Sequence, residues 1–130
     1  MLVGIPKEIK RKENRVAMVP AGVEQLTAHG HAVLVETGAG EASGYADQDY
    51  LRAGATIVRS PQEVYQNSEM VVKVKEPLPA EYPLMRNGQI SFTYVSGGEN
   101  NAGCGVGGTG AAGFGRDVFM REGLPSLICL

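Results

Sequence analysis

The sequence lacks any apolar run close to the ~20 residues that a membrane-spanning helix needs, and its first residues lack the apolar core of a signal peptide. Its two cysteines, Cys104 and Cys129, lack the spacing of a metal or redox site. The net charge of −2, from 12 basic and 14 acidic residues, excludes a strong field that would attract nucleic acid or an anionic membrane. We therefore expect a cytoplasmic protein without nucleic-acid, membrane or metal partners.

What the sequence does contain, over its first 94 residues, is a series of short apolar runs alternating with helical patterns. A length of 130 residues suits one domain with a single core. Helix starts are indicated by Pro20, by Asp47 and by the capping box that begins at Ser60. The alternation predicts an α/β fold with a Rossmann-like, mostly parallel sheet and flanking helices. The predicted strands are 2–5, 15–19, 32–36, 56–58, 70–74 and 89–94.

The run 70–77 (MVVKVKEP) combines a core-like strand with a lysine, Lys75, before a proline turn. Ligands of open α/β sheets gather at the carboxyl ends of such strands, so Lys75 is a candidate binding residue. The alternative is a solvated lysine at a strand tip. Arg15, near another predicted strand end, is expected to converge on the same site, and its alternative role is a salt bridge with Glu8 or Glu13.

Two longer motifs carry a family resemblance. They are GIPKEIK…E.RVA..P at 4–20 and VVKVKEPLP.EYPL…G…FTY at 71–94, with GHAVLVE at 30–36 between them. Over 1–94 the chain resembles the N-terminal domain of the alanine dehydrogenase and NAD(P) transhydrogenase family. Alanine dehydrogenases interconvert L-alanine with pyruvate and ammonia, using NAD.

The resemblance implies roles for the two cations. Arg15 would hold the substrate carboxylate, because its planar donors can meet both oxygens. Lys75 would bond the carbonyl or imine end and stabilise charge developing on oxygen, without a Schiff base. The position of the family's acid/base histidine is Ser96, which cannot shuttle protons near neutral pH. No catalytic residue is therefore expected to be retained, and His29 and His31 are expected to be structural.

After residue 94 the composition changes, because nine of the 21 residues from 95 to 115 are glycine. Matches to G-x-G-x-x-G begin at Gly103, Gly105 and Gly108, but a dinucleotide fingerprint needs a strand directly before it, and a helix and a second strand after it. We expect no cofactor-binding residue here, and NAD to belong to the full-length parent. Residues 95–130 are predicted to be a disordered low-complexity tail without strands.

The resemblance ends within one residue of Tyr94, which motivates the hypothesis of a frameshift or truncation. The sheet is then expected to be incomplete, and the chain inactive by itself. The main functional prediction is the pyruvate or L-alanine binding part of an alanine dehydrogenase whose parent is a homo-oligomer, a hexamer by family resemblance. One alternative is a transhydrogenase alpha-type subunit, which Lys75 argues against. The other is a non-catalytic 2-oxo acid binding or oligomer-docking remnant.

Overall fold

The computed structural model describes residues 1–93, together with the backbone of two short strands at 118–119 and 126–129. The strands are β1 Leu2–Ile5, β2 Ala32–Glu36, β3 Thr56–Val58, β4 Met70–Lys73, β5 Ile90–Thr93, β6 Val118–Phe119 and β7 Ser126–Cys129. The helices are α1 Pro20–Ala28, α2 Asp47–Arg52 and α3 Pro61–Asn67, with 3-10 turns at Glu41–Ser43 and Tyr82–Leu84.

The described strands form one sheet in the order β3-β2-β1-β4-β5-β7-β6. All pairs from β3 to β7 are parallel, and only β6 pairs antiparallel, with β7. The chain therefore builds one half of the sheet outward from β1 and then returns to build the other half from β4. This is a doubly wound arrangement, and it confirms the predicted Rossmann-like α/β fold.

The main core lies on the face of the sheet that α1 and α2 cover. Ile5 of β1 and Val35 of β2 are fully buried there against Val23 of α1 and Tyr50 of α2. The Tyr50 hydroxyl donates a hydrogen bond of 2.9 Å to the Met18 carbonyl, so this buried aromatic residue has a satisfied polar end. Apolar alternation along β1 and β2 thus selects which face the helices cover.

Helix α3 covers the opposite face, where β1 presents Gly4 instead of a side chain. Its carboxyl end is held by two side chains from the segment before β5. The guanidinium of Arg86 and the amide of Gln89 both donate to the carbonyls of Tyr65 and Ser68, at 2.6 to 3.1 Å. These bonds satisfy carbonyls that a helix end otherwise leaves without partners.

The predicted helix starts differ in how they are made. Ser60 caps α3 as predicted, accepting the Glu63 N–H at 3.3 Å, and Pro20 is the first residue of α1. Asp47 was expected to cap α2 but is its first helical residue. Its carboxylate instead accepts bonds from the Thr37 hydroxyl and the Gly38 N–H, at 2.6 and 2.9 Å. Asp47 therefore ties the loop after β2 to α2.

Two strand predictions were wrong. The segment 15–19 forms no strand, because β1 is already paired on both sides, and Val16, Ala17 and Met18 pack on the core as a loop. Conversely, β6 and β7 form in the segment predicted to have no strand; β7 is a short apolar run (SLIC) beyond the glycine-rich part, and it pairs with β5. The other residues of the predicted tail lie outside the described part of the chain. Among the described helices, none has the length and apolar character needed to cross a membrane.

The contact between β1 and α3 gives a stability prediction. A Cβ added at Gly4 would overlap the Ser68 hydroxyl and lie 2.7 Å from Val64 Cγ1. Gly4→Ala should lower the free energy of unfolding by about 2 kcal/mol, because a packed interface must move apart. Urea unfolding followed by circular dichroism measures this change.

Gly22→Ala is the matched control. Its Cβ would meet only the flexible side chain of Met18, at 2.8 Å from Cγ, and alanine favours the helix by about 1 kcal/mol. This variant should be as stable as the parent or slightly more stable. Equal stability of the Gly4 and Gly22 variants would contradict the close approach of β1 and α3.

Candidate functional site

The candidate site lies where the strand order reverses, between the carboxyl ends of β1 and β4. Two loops leave the sheet there, one after Ile5 and one after Lys73. Both loops are rich in charge. The first carries Lys7, Glu8, Lys10, Glu13 and Arg15, and the second carries Lys75, Glu76 and Glu81. The fold therefore brings the loops of both predicted binding residues to one edge of the sheet.

Arg15 forms a two-point ion pair with Glu13. Its Nε and Nη2 donate to the two carboxylate oxygens at 2.8 Å each, and its backbone N–H donates to Oε1 at 3.0 Å. The Glu13 side chain is 6% exposed, whereas that of Arg15 is 62% exposed. The alternative pairing with Glu13 is therefore present. It fixes the direction of the guanidinium and leaves the binding role of Arg15 a prediction.

The pKa of Glu13 relates Arg15 to Lys75. The hydrogen bond from Arg15 is the main cause that lowers this pKa from 4.5 to about 2, against an opposing effect of burial. The charge of Lys75 lowers it further. The carboxylate of Glu13 thus lies in the field of both cations. Arg15 and Lys75 therefore lie within electrostatic range of one carboxylate, and their binding roles stay predictions.

Lys73 is the last residue of β4, and the sequence analysis predicted no role for it beyond that strand. Lys73 is only 3% exposed, and its ammonium donates to Glu8 Oε2 at 3.2 Å and to Glu81 Oε1 at 2.8 Å. The side chains of both glutamates are buried as well. The signal that could have found this cluster is a lysine inside an apolar strand, since lysine is almost never buried unless it is paired.

Further polar groups surround this cluster. Thr93 pairs in register with Lys73, and Ser91 pairs with Val71, so both hydroxyls lie on the Lys73 face of the sheet. Among the described residues neither hydroxyl has a hydrogen-bond partner, although both are buried. Tyr65 of α3 lies nearby, and its pKa is raised, first by burial and then by the Glu81 carboxylate. The second loop also meets the first through Lys10 and Glu76, whose charged atoms are 2.5 Å apart.

Glu36, at the end of β2, borders the same edge. Burial raises the pKa of its carboxyl, while its bond from the Lys7 N–H, at 2.8 Å, acts in the opposite direction.

Within the part of the chain that the structure describes, no group of three potential ligands could hold a metal ion. His31 lies at the opposite edge, 3.2 Å from the amino terminus, and His29 bonds the Gln25 carbonyl. Ser96 lies outside the described residues.

The fold and this edge together define a class: a doubly wound α/β domain whose charged loops leave the sheet at its switch point, where open α/β sheets bind their ligands. Residues 4–104 match the family model of the alanine dehydrogenase/PNT, N-terminal domain. The chain belongs to this family. The match extends ten residues beyond the predicted boundary at 94, which stays a prediction.

Relatives of known name agree with this assignment. The chain is 56% identical over 95 residues to an alanine dehydrogenase of Bacillus subtilis and 53% identical over 95 residues to one of Methanococcus maripaludis, in each case over 73% of this chain. It spans about a quarter of the length of these relatives, 25% and 26%.

Solved structures give the same picture. An L-alanine dehydrogenase superposes with a TM-score of 0.71 at 54% identity, and a transhydrogenase from Sinorhizobium meliloti superposes with a TM-score of 0.67 at 32% identity. Each comparison covers 72% of this chain and 26% of the other. The described fold is therefore shared by both branches of the family.

The Glu13–Arg15 pair gives a prediction on pH. Because the folded pKa of Glu13 lies below its ordinary value of 4.5, the pair stabilises the fold above pH 4.5 and loses this effect as the pH falls toward about 2. Glu13→Gln should lower stability at pH 7 by only about 0.5 kcal/mol, because water screens the exposed guanidinium. Unfolding at pH 7 and pH 2 measures the difference, which should vanish at the lower pH.

The carboxyl carbon resonance of Glu13 provides the direct check. It should titrate near pH 2 in the parent chain and closer to 4.5 in Arg15→Gln, which removes the main cause of the shift. A Glu13 titration that is the same in both chains would contradict the ion pair.

Proposed function

We propose that this chain is the N-terminal, substrate-binding part of an NAD-dependent alanine dehydrogenase, and that it binds pyruvate or L-alanine at the edge between β1 and β4. Family membership supports the reaction class. The observation that carries the site is the two-point bond of Arg15 to the Glu13 carboxylate, at the edge where the loop of Lys75 leaves the neighbouring strand β4. A place that already stabilises one carboxylate suits a small carboxylate substrate.

In this proposal Arg15 binds the carboxylate of the substrate. The guanidinium matches two carboxylate oxygens with two parallel donors, as its bonds to Glu13 illustrate. Substrate would share Arg15 with Glu13 or take its place. The bond from the backbone N–H of Arg15 to Glu13 keeps the loop in shape. Arg15 thus orients the substrate and neutralises its charge.

Lys75 takes the other end of the substrate, where the carbonyl oxygen of pyruvate lies. A lysine ammonium there stabilises negative charge that develops on this oxygen, without forming a covalent bond. The acid/base group of the family has no counterpart at Ser96, since a hydroxyl cannot exchange protons near neutral pH as imidazole can. The residues of this chain therefore bind and orient the substrate.

The described residues do not fit the nicotinamide cofactor. The loop after β1, where a doubly wound domain commonly holds a pyrophosphate, reads Pro6-Lys7-Glu8 and lacks the glycine fingerprint. The carboxylate of Glu8 within this loop and that of Glu36 beside it would also repel phosphate. We therefore assign none of the described residues to NAD.

A second candidate is the N-terminal part of a transhydrogenase alpha-type subunit, since the fold also superposes on a transhydrogenase, at 32% identity. Lys75 is the feature that argues for the dehydrogenase. Binding of NADH without binding of pyruvate would favour the transhydrogenase.

A third candidate is a non-catalytic module that binds a 2-oxo acid or docks onto a homologue. Assembly into a homo-oligomer, a hexamer, and a cytoplasmic location also belong to the proposal.

Titration of the chain with pyruvate, followed by NMR, tests the site. Arg15→Lys and Lys75→Gln should each weaken binding by about tenfold or more, because each removes a charge-assisted hydrogen bond. Arg52→Lys and Lys12→Gln are matched controls, since both alter exposed cations outside the proposed contacts and should change affinity by less than about twofold. Equal losses of pyruvate affinity in all four variants would show only a general attraction of anions and would contradict a specific site.

Turnover is the second test. The chain, incubated with L-alanine and NAD, should produce no NADH above the blank, because the family histidine is replaced at Ser96 and no described residue fits the cofactor. Absorbance of NADH measures this, with a full-length alanine dehydrogenase as the positive control. Production of NADH by the purified chain would overturn the assignment of a binding part.

A further inference from the structure

Glu8 is the residue that connects the two loops of the site most directly. It belongs to the loop that carries Arg15, and its side chain is only 3% exposed. Its Oε1 accepts the Val74 N–H at 2.6 Å, and its Oε2 accepts the Lys73 ammonium at 3.2 Å. Val74 directly precedes Lys75 in the chain. One carboxylate therefore connects the Arg15 loop with the backbone next to Lys75.

The ammonium of Lys73, at the end of β4, holds the Glu8 carboxylate in place. The same ammonium also binds Glu81 Oε1 at 2.8 Å, while Glu81 Oε2 accepts the Leu78 N–H at 2.9 Å. Each carboxylate thus uses one oxygen for the ammonium and the other for a backbone N–H of the second loop. The two bonded N–H groups, at Val74 and Leu78, lie on either side of Lys75.

Stability alone is a poor explanation for such a cluster. Removing charges from water is costly, and buried ion pairs are often no more stabilising than apolar residues of similar size. What the cluster provides is direction, since each bond has a defined partner and length. A binding residue works only when neighbouring groups hold it in a defined position.

Resting on the proposed function, we propose that Glu8 is a positioning residue for the 2-oxo acid site, and that it fixes Lys75 relative to Arg15 with Lys73 as its buried counter-ion. Glu8 does not bind the substrate itself in this role. It acts through the Val74 N–H. Glu81 anchors the far end of the loop, at Leu78, and has less influence on Lys75.

Two matched variants test this role. Glu8→Asp and Glu81→Asp each keep the charge that Lys73 needs and shorten the side chain by about 1.5 Å, so that neither can reach its N–H and the ammonium together. Glu8→Asp should weaken pyruvate binding by about tenfold, because misplacement of a binding group is costly. Glu81→Asp should weaken it by less than about threefold at a comparable loss of stability.

The readouts are pyruvate affinity by NMR titration, unfolding by urea, and the amide resonance of Val74. In Glu8→Asp this resonance should shift, because its bond to the carboxylate is lost. In Glu81→Asp the resonance of Leu78 should shift instead. Affinity losses that simply follow stability in both variants would overturn the positioning role, and so would unchanged affinity in Glu8→Asp despite a shifted Val74 resonance.

If Glu8→Asp does not fold, pyruvate titration of the unmodified chain tests the inference instead. Pyruvate bound at Lys75 should move the Val74 amide resonance and leave that of Leu78 in place; an unmoved Val74 resonance would overturn the inference. Absence of pyruvate binding by the unmodified chain would overturn the proposed function, and this inference with it. Pyruvate binding that does not depend on Glu8 would overturn the inference alone.

Discussion

The need to pair one buried ammonium, that of Lys73, constrains the whole carboxyl edge of this sheet. A lysine at the end of β4 cannot lie in the interior without opposite charge, because an isolated buried charge is far more costly than any single contact returns. Its two partners come from different loops, Glu8 after β1 and Glu81 after β4. Pairing this ammonium therefore determines how both loops fold over the sheet.

The strand order explains why these loops meet at all. Because β1 and β4 are neighbours, segments more than sixty residues apart leave the sheet side by side, as the bond between Lys73 and Glu8 shows with a separation of 65 residues. Two further ion pairs lie at this edge, Arg15 with Glu13 and Lys10 with Glu76. Such pairing reduces repulsion among the cations of the two loops.

Much of this fold could be predicted from local pattern, and the failures have physical causes. The short apolar runs predicted the bounds of β1, β2 and β3, because a turn or loop signal follows each of them. The segment 15–19 has the same local pattern but no open sheet position beside β1, which only the strand order reveals. Lys73 was missed for a related reason: its partners are distant in sequence. Arg15 and Lys75 were predicted because the motifs around them are recognisable, and their roles stay predictions.

The Glu13 carboxylate gives the proposed site a means of discrimination. It is attached to the same loop as Arg15, so it competes with any carboxylate ligand as an intramolecular partner, with the advantage that proximity brings. A ligand that offered only a carboxylate would gain little by displacing it. In the proposed function a 2-oxo acid would also place its carbonyl oxygen at Lys75, a contact made in addition to the one at Arg15. The position that Glu8 gives to Lys75 would then decide whether a ligand with both groups binds better than the carboxylate already present.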